Sequence, residues 1–216
     1  MATTTVREGL YYDPYDREIL EDPYPIFRRL RDESPLPIAR RLREGALSLG
    51  DAFAFMSGLY FRGKLTYARA FAGHDDRAID PALVITPTRG LLSIDALVTP
   101  ALLREFAEVD IADAGARYLD PLERDLAALT ARLRSDDPVI LLGSVSTGKY
   151  ADVLSRWLVD RLKYPVSFAG RGDMSRGGLL LRSAAAGEEL DYDVLRAGHR
   201  PRGPRPPKLE RIGPRR

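Results

Sequence analysis

A chain of 216 residues, 44% apolar and 30% charged, is long enough for one sizeable core and an appendage. It contains no run of eighteen apolar residues and no apolar signal core near its start, so we expect no membrane partner and read it as cytoplasmic. The absence of cysteine excludes disulfides, thiolate metal sites and a cysteine nucleophile, and no cofactor or metal is expected.

The net charge of +2 conceals a gradient: residues 1–36 carry −3, residues 196–216 carry +7, and the middle carries −2. Within "YYDPYDREILEDPYPIFRRLRDESPL" (11–36), Asp22-Pro23 opens a helix with Ile26, Phe27 and Leu30 on one face. This predicts a helical leader over residues 1–36. The stretch resembles the opening segment of the bacterial cytochrome P-450 family, the haem-thiolate monooxygenases. That family binds haem through a cysteine; none is present here, so no haem is expected.

Residues 37–196 read as a single three-layer α/β domain with a short, at least partly parallel sheet. In 48–73, Phe53, Met56, Tyr60, Tyr67 and Phe71 recur at helical spacing, with a break expected near Gly58 or Gly63. His74 lies in "GHDDR" (73–77), either a metal-binding cluster or a solvated loop; His199 is too remote in sequence to offer a ligand spacing. A buried strand follows at 82–87. Thr99-Pro100 caps one helix, and Asp120-Pro121-Leu122-Glu123 is read as the start of another, striped by Leu122, Leu126, Leu129 and Leu133. Strands are expected at 138–144, 165–170, 178–184 and 191–195, with a helix over 150–162. The span 138–169 then forms a strand–helix–strand crossover between parallel strands.

If the strand at 82–87 joins that sheet, three loops emerge at its carboxyl edge, where open α/β sheets bind ligands. They are "TPTRGL" (86–91), "GSVSTGK" (143–149) and "GRGDMSRGG" (170–178). Glycines let backbone N–H groups turn outward, hydroxyls donate hydrogen bonds, and Arg and Lys supply charge. The candidate phosphate ligands are therefore Thr88, Arg89, Gly143, Ser144, Ser146, Thr147, Gly148, Lys149, Arg171, Ser175 and Arg176. Tyr150 is a candidate for base stacking, and Asp173, between two arginines, is the candidate catalytic base. Ordinary exposed turns would use the same residue types, and Asp173 serves equally as a structural bond to its own loop.

Gly143, Gly148 and Lys149 have the spacing of a nucleotide-binding loop, but Tyr150 stands where a small magnesium-binding hydroxyl would follow the lysine. Only 67 residues follow Lys149, and no apolar strand ends directly in an acidic residue. A P-loop NTPase is therefore an alternative rather than the leading reading. "SGLYFRGKLTYARAFA", "ALVITPTRGLL" and "VILLGSVSTGKYADVL" together resemble uncharacterised bacterial α/β proteins similar to the YaaA-like and uracil-DNA-glycosylase-like groups. That likeness spans residues 45–185 and implies nucleotide or nucleic-acid binding. The expected function is a nucleotide- or nucleic-acid-binding protein, possibly an enzyme acting on a glycosidic or phosphate bond. The alternatives are a non-catalytic nucleic-acid binder and a protein-interaction scaffold.

Residues 197–216 combine Arg, Lys, Pro and Gly and are expected to form an extended basic arm that attracts polyanions. Removal of residues 1–36 is expected to leave a cooperatively folding domain. A melting temperature lowered by more than about 8 °C, equivalent to more than roughly 1 kcal/mol for a small domain, would show that the leader is integral.

Overall fold

The computed structural model describes residues 37–73, 79–109, 115–143, 145, 148–198 and 201–204. The leader over 1–36, His74, His199 and residues 205–216 lie outside the described residues. The fold is mixed α/β. Its helices are α1 (Pro37–Arg43), α2 (Leu49–Met56), α3 (Gly58–Phe71), α4 (Pro100–Ala107), α5 (Gly115–Arg132), α6 (Gly148–Leu158) and α7 (Asp173–Ala186). The strands are β1 (Leu83–Ile85), β2 (Leu91–Ser93), β3 (Val139–Ile140), β4 (Leu162–Pro165) and β5 (Tyr192–Val194).

The strand–helix–strand unit forms as expected. β3 and β4 are parallel, with Val139 opposite Leu162, and α6 makes the crossover between them. β5 then pairs antiparallel to β4, giving the order β3-β4-β5. Thr99 also caps α4 as read: its side chain accepts the Leu102 N–H at 3.2 Å, and Pro100 occupies the first turn, where its missing N–H costs nothing.

Four expectations need correction. β1 does not join the parallel sheet; it forms a separate antiparallel hairpin with β2. The reason lies in "TPTRG": Thr86 N–H donates to Gly90 O at 2.8 Å, and Gly90 takes a left-handed φ of 64°, closing a short turn. The segment 178–184 is helical, inside α7. Its three leucines read as a strand, but Arg176, Gly177, Leu180 and Ser183 are buried at helical spacing, and Gly187 ends the helix at φ 69°. The strand expected at 165–170 lies earlier, at Leu162–Pro165, and is followed by a short 3-10 turn over Val166–Phe168. Finally, Asp120-Pro121 does not start a helix; α5 runs through it from Gly115 to Arg132. Tyr118, Leu122 and Leu126 form one buried stripe across Pro121, and that burial outweighs the bond lost at a proline in the second turn.

The apolar side chains gather in three clusters. Tyr118, Leu122 and Leu126 of α5 pack with Leu154 and Leu158 of α6 and with Leu162 and Tyr164 of β4. A second cluster joins α2 and the hairpin to Phe106 of α4, where Phe53 meets Phe61 edge-on at 5.4 Å between ring centres. In the third, Tyr67 of α3, Leu180 of α7 and Phe168 pack against Leu142 and Tyr192. Leu141 and Leu142 belong to different clusters, as alternation beyond a strand end requires.

The most extensive helix pair is α3 with α7. It crosses at glycine on both sides: a Cβ on Gly63 would lie 2.6 Å from Gly177 O, and a Cβ on Gly177 would lie 2.8 Å from Leu59 O and from Tyr60 Cα. Gly63, expected as a possible break, is instead the contact that lets two backbones touch. The break falls at Ser57, ahead of Gly58 at φ 63°. Glycine to alanine inside a helix ordinarily gains about 0.5–1 kcal/mol. Gly63→Ala is expected to lose about 1–3 kcal/mol instead, because the obstructing atoms are backbone. Urea denaturation checks this; a gain in stability would mean that the helices part at little cost.

Candidate functional site

Tyr60 and Lys64 are one turn apart on α3 and share a face. The glycine crossing holds that face against the start of α7 and the turn before it. Tyr60 meets Phe168 edge-on, with ring centres 6.4 Å apart, and its hydroxyl donates to Leu142 O at 3.1 Å. The Lys64 ammonium lies 4.0 Å from the centre of the Tyr60 ring. Tyr60 therefore ties the 142–150 segment to the 168–176 segment. Two of the three loops singled out in the sequence come together here, through a helix rather than along one sheet edge.

The third does not join them. Thr88 and Arg89 sit in the hairpin turn and are bound to Glu105 of α4. The Thr88 hydroxyl donates to Glu105, and Arg89 donates from Nε at 2.7 Å and from Nη2 at 2.5 Å. Those bonds from Arg89 and Thr88 hold the Glu105 carboxyl down to about 2. The turn borders an open depression of about 760 Å³ whose lining includes Thr88, Arg89, Glu105, Arg117, Asp120 and Arg124. Its arginines are matched by carboxylates: besides Arg89 with Glu105, Arg117 pairs with Glu108 at 3.4 Å and Arg124 with Asp125 at 2.8 Å. The arginines of this depression are thus charge-balanced, whereas Lys64 is a half-buried cation without an ion pair among the described residues.

Within the 170–178 segment, the arginines are used internally. Arg171 donates to Ser167 O at 3.0 Å and to Ser175 Oγ at 3.1 Å. Arg176 is buried and donates to Phe168 O from Nε at 3.3 Å and Nη2 at 3.2 Å, with Nη1 3.5 Å from Asp173. Their guanidinium groups brace the turn that carries Phe168. Asp173 opens α7 with its side chain 67% exposed, which leaves its carboxylate open to water or a ligand.

In the 142–150 segment, Gly143 is buried beneath Tyr150, whose Cε2 and Oη would lie 3.0 and 3.2 Å from a Cβ at Gly143. The Tyr150 ring is half-buried and lies against the backbone at Gly143. Gly148 and Lys149 form the first turn of α6. Ser144, Ser146 and Thr147 lie outside the described residues, as does the Lys149 side chain. Behind Tyr150, the buried Tyr118 hydroxyl has no hydrogen-bond partner among the described residues, and burial pushes it up to about 12.

Lys64 is not legible from loop composition, because "FRGK" sits inside a helix. Among the described residues it forms no ion pair. Burial pulls its ammonium down to about 8; Asp173 opposes this and Arg176 adds to it. The signal in the sequence is the i, i+4 spacing of Tyr60 and Lys64 around the crossing glycine. Burial of Tyr60 likewise raises its phenol above the ordinary value.

Compared with protein-family models, curated proteins and solved structures, the chain matches none. Among the described residues no cluster of His, Asp and Glu could hold a metal ion, and no helix is long and apolar enough to cross a membrane.

The depressed Lys64 value has a definite consequence for stability. Between about pH 8 and the unfolded lysine value the unfolded chain holds a proton that the folded chain has released. Stability must therefore rise with pH across that window, and the burden of the buried charge is greatest below it. Lys64→Met should be more stable than the wild type at pH 7 by about 1–3 kcal/mol, with the advantage shrinking toward pH 10. Urea denaturation at pH 7, 8, 9 and 10 reads the difference; a constant difference would show a fully solvated ammonium.

Proposed function

We propose that the chain is a cytoplasmic nucleotide- or nucleic-acid-binding α/β protein whose phosphate-bearing ligand seats against Lys64, where α3, the start of α7 and the 142–150 segment meet. The observation that carries this reading is the local charge balance. Lys64 and Arg176 stand in a half-buried place with Asp173 as the opposing charge acting on Lys64. A cation removed from water is costly unless a counter-charge replaces the lost hydration. A phosphate at this position supplies it. The first turn of α6, which carries Gly148 and Lys149, adds the partial positive charge of a helix start. The likeness of 45–185 to YaaA-like and uracil-DNA-glycosylase-like proteins points to the same ligand class.

A second reading, that the protein also cleaves a glycosidic or phosphate bond, is favoured by the exposed Asp173 carboxylate at the rim of this site. Asp173 would act there as the base that activates water.

Titration calorimetry with nucleoside 5′-monophosphates at pH 7 tests the binding reading. Lys64→Ala should weaken binding about ten- to hundredfold, the effect of losing one charge-assisted hydrogen bond, while Asp173→Asn should bind as the wild type does. If Asp173 is catalytic, Asp173→Asn also removes turnover without loss of affinity. If Lys64→Ala binds mononucleotides as tightly as the wild type does, the site is not at Lys64.

A further inference from the structure

We infer that Lys64 is a nucleophile as well as a cation, its amine condensing reversibly with a small phosphate-bearing aldehyde to form an imine. This rests on the phosphate-binding reading above and deepens it by naming a reactive group on the ligand.

A lysine attacks carbon only through its neutral amine. A nucleophilic lysine therefore needs a place where its ammonium is poorly solvated and no carboxylate clamps it. The glycine crossing of α3 and α7 supplies such a place. Lys64 follows Gly63, is half-buried, and holds its nitrogen 4.0 Å from the centre of the Tyr60 ring and 5.7 Å from that of Phe61. Among the described residues no hydrogen bond and no ion pair occupies that nitrogen. The charged groups acting on it both belong to α7. Arg176 favours loss of the proton; Asp173 opposes it, with a side chain 67% exposed to water.

The choice of residue points the same way. Most cations of this chain are arginines, and its lysines are Lys64, Lys149, Lys163 and Lys208. Arginine stays protonated and pairs with carboxylates, as Arg89, Arg117 and Arg124 do. Of the two cations, lysine alone can give up its proton and attack.

The reaction balances without a further reagent. The lone pair on Lys64 Nζ forms a bond to the carbonyl carbon, and the C=O π pair moves onto oxygen. One proton passes from nitrogen to that oxygen through water, giving a carbinolamine. A second proton, taken from solvent, lets the hydroxyl leave as water while the nitrogen pair forms C=N. The product is a protonated imine with the charge of the original ammonium. It therefore keeps its place over the Tyr60 ring and remains the counter-charge of the ligand's phosphate. An aldehyde is favoured over a ketone because its carbon carries one substituent fewer into a half-buried place.

The test exposes the full chain to glyceraldehyde 3-phosphate or to glyceraldehyde, reduces any imine with cyanoborohydride, and assigns the label to each lysine by peptide mass. Lys163 serves as the internal reference. At pH 7.5 the phosphorylated aldehyde should label Lys64 at least tenfold faster than Lys163, and inorganic phosphate should slow this. Glyceraldehyde should label Lys64 more slowly than its phosphate ester does. The rate at Lys64 should level off above about pH 8, whereas that at Lys163 keeps rising toward the ordinary lysine value. Lys64→Arg, with folding checked by urea denaturation, should keep affinity for nucleoside 5′-monophosphates and lose the fast-labelled site.

The inference is overturned if Lys64 reacts no faster than Lys163 while nucleoside monophosphates still bind; the phosphate site then survives without imine chemistry. It is also overturned if both aldehydes label Lys64 at the same rate and inorganic phosphate has no effect. In that outcome the phosphate-binding reading fails with it.

Discussion

The close approach of Gly63 to Gly177 is the constraint on which the rest of this structure depends. Two helices whose backbones touch cannot shift to accommodate larger side chains at the crossing, so the residues on either side are held in one register. Tyr60 and Lys64 fall just beside the crossing on α3, and Asp173 and Arg176 fall beside it on α7. Rigid helices can hold side chains more accurately than loops can. The neighbouring loops inherit that order: the 142–150 segment is tied to α3 through Tyr60, and the turn at Phe168 is tied to α7 through Arg176. At the other end of the pair, the Tyr67 hydroxyl accepts the Leu190 N–H at 2.9 Å, which fastens the approach to β5 to α3.

The charges divide according to how their bonds are used. Arg89, Arg117 and Arg124 are exposed and paired with carboxylates, which makes them weak attractors once water and salt compete. Arg171 and Arg176 bind backbone oxygens and stiffen a turn. Lys64 differs because it is half-buried against an aromatic face, with no ion pair among the described residues.

Much of the fold was legible in local signals. The Thr99-Pro100 cap, the β3–α6–β4 crossover, the strand at β5 and the chain break beside Gly58 depend on short-range patterns, and each formed. The failures share a cause. Leu179, Leu180 and Leu181 form an apolar run with no period of its own, so strand and helix were undecided until Ala184–Ala186 and Gly187 are read as a helix ending. Pro121 has the strong local preference of a helix start, yet Tyr118 and Leu122 are buried together on either side of it. The turn before Gly90 carried a hairpin signal, but β2 is too short to show alternation. For the site, loop composition identified the segments that carry Tyr150 and Asp173. Lys64 lies mid-helix, and the charged groups that act on it, Asp173 and Arg176, are more than a hundred positions away in sequence.

Among the described residues no strand pairs with the outer side of β5, and an unpaired strand edge is a template for pairing with another chain. In the antiparallel register, Asp193 bonds inward to Tyr164, so the N–H groups of Tyr192 and Val194 point outward. One of these is already occupied, since Val194 N–H donates to the Asp193 carboxylate at 2.7 Å. Asp191 adds a second negative charge at the same end of the strand. A strand arriving from a second molecule would find one donor taken and two carboxylates to desolvate. Tyr192–Val194 and the preceding Asp191 thus make the β5 edge a poor partner for a second strand.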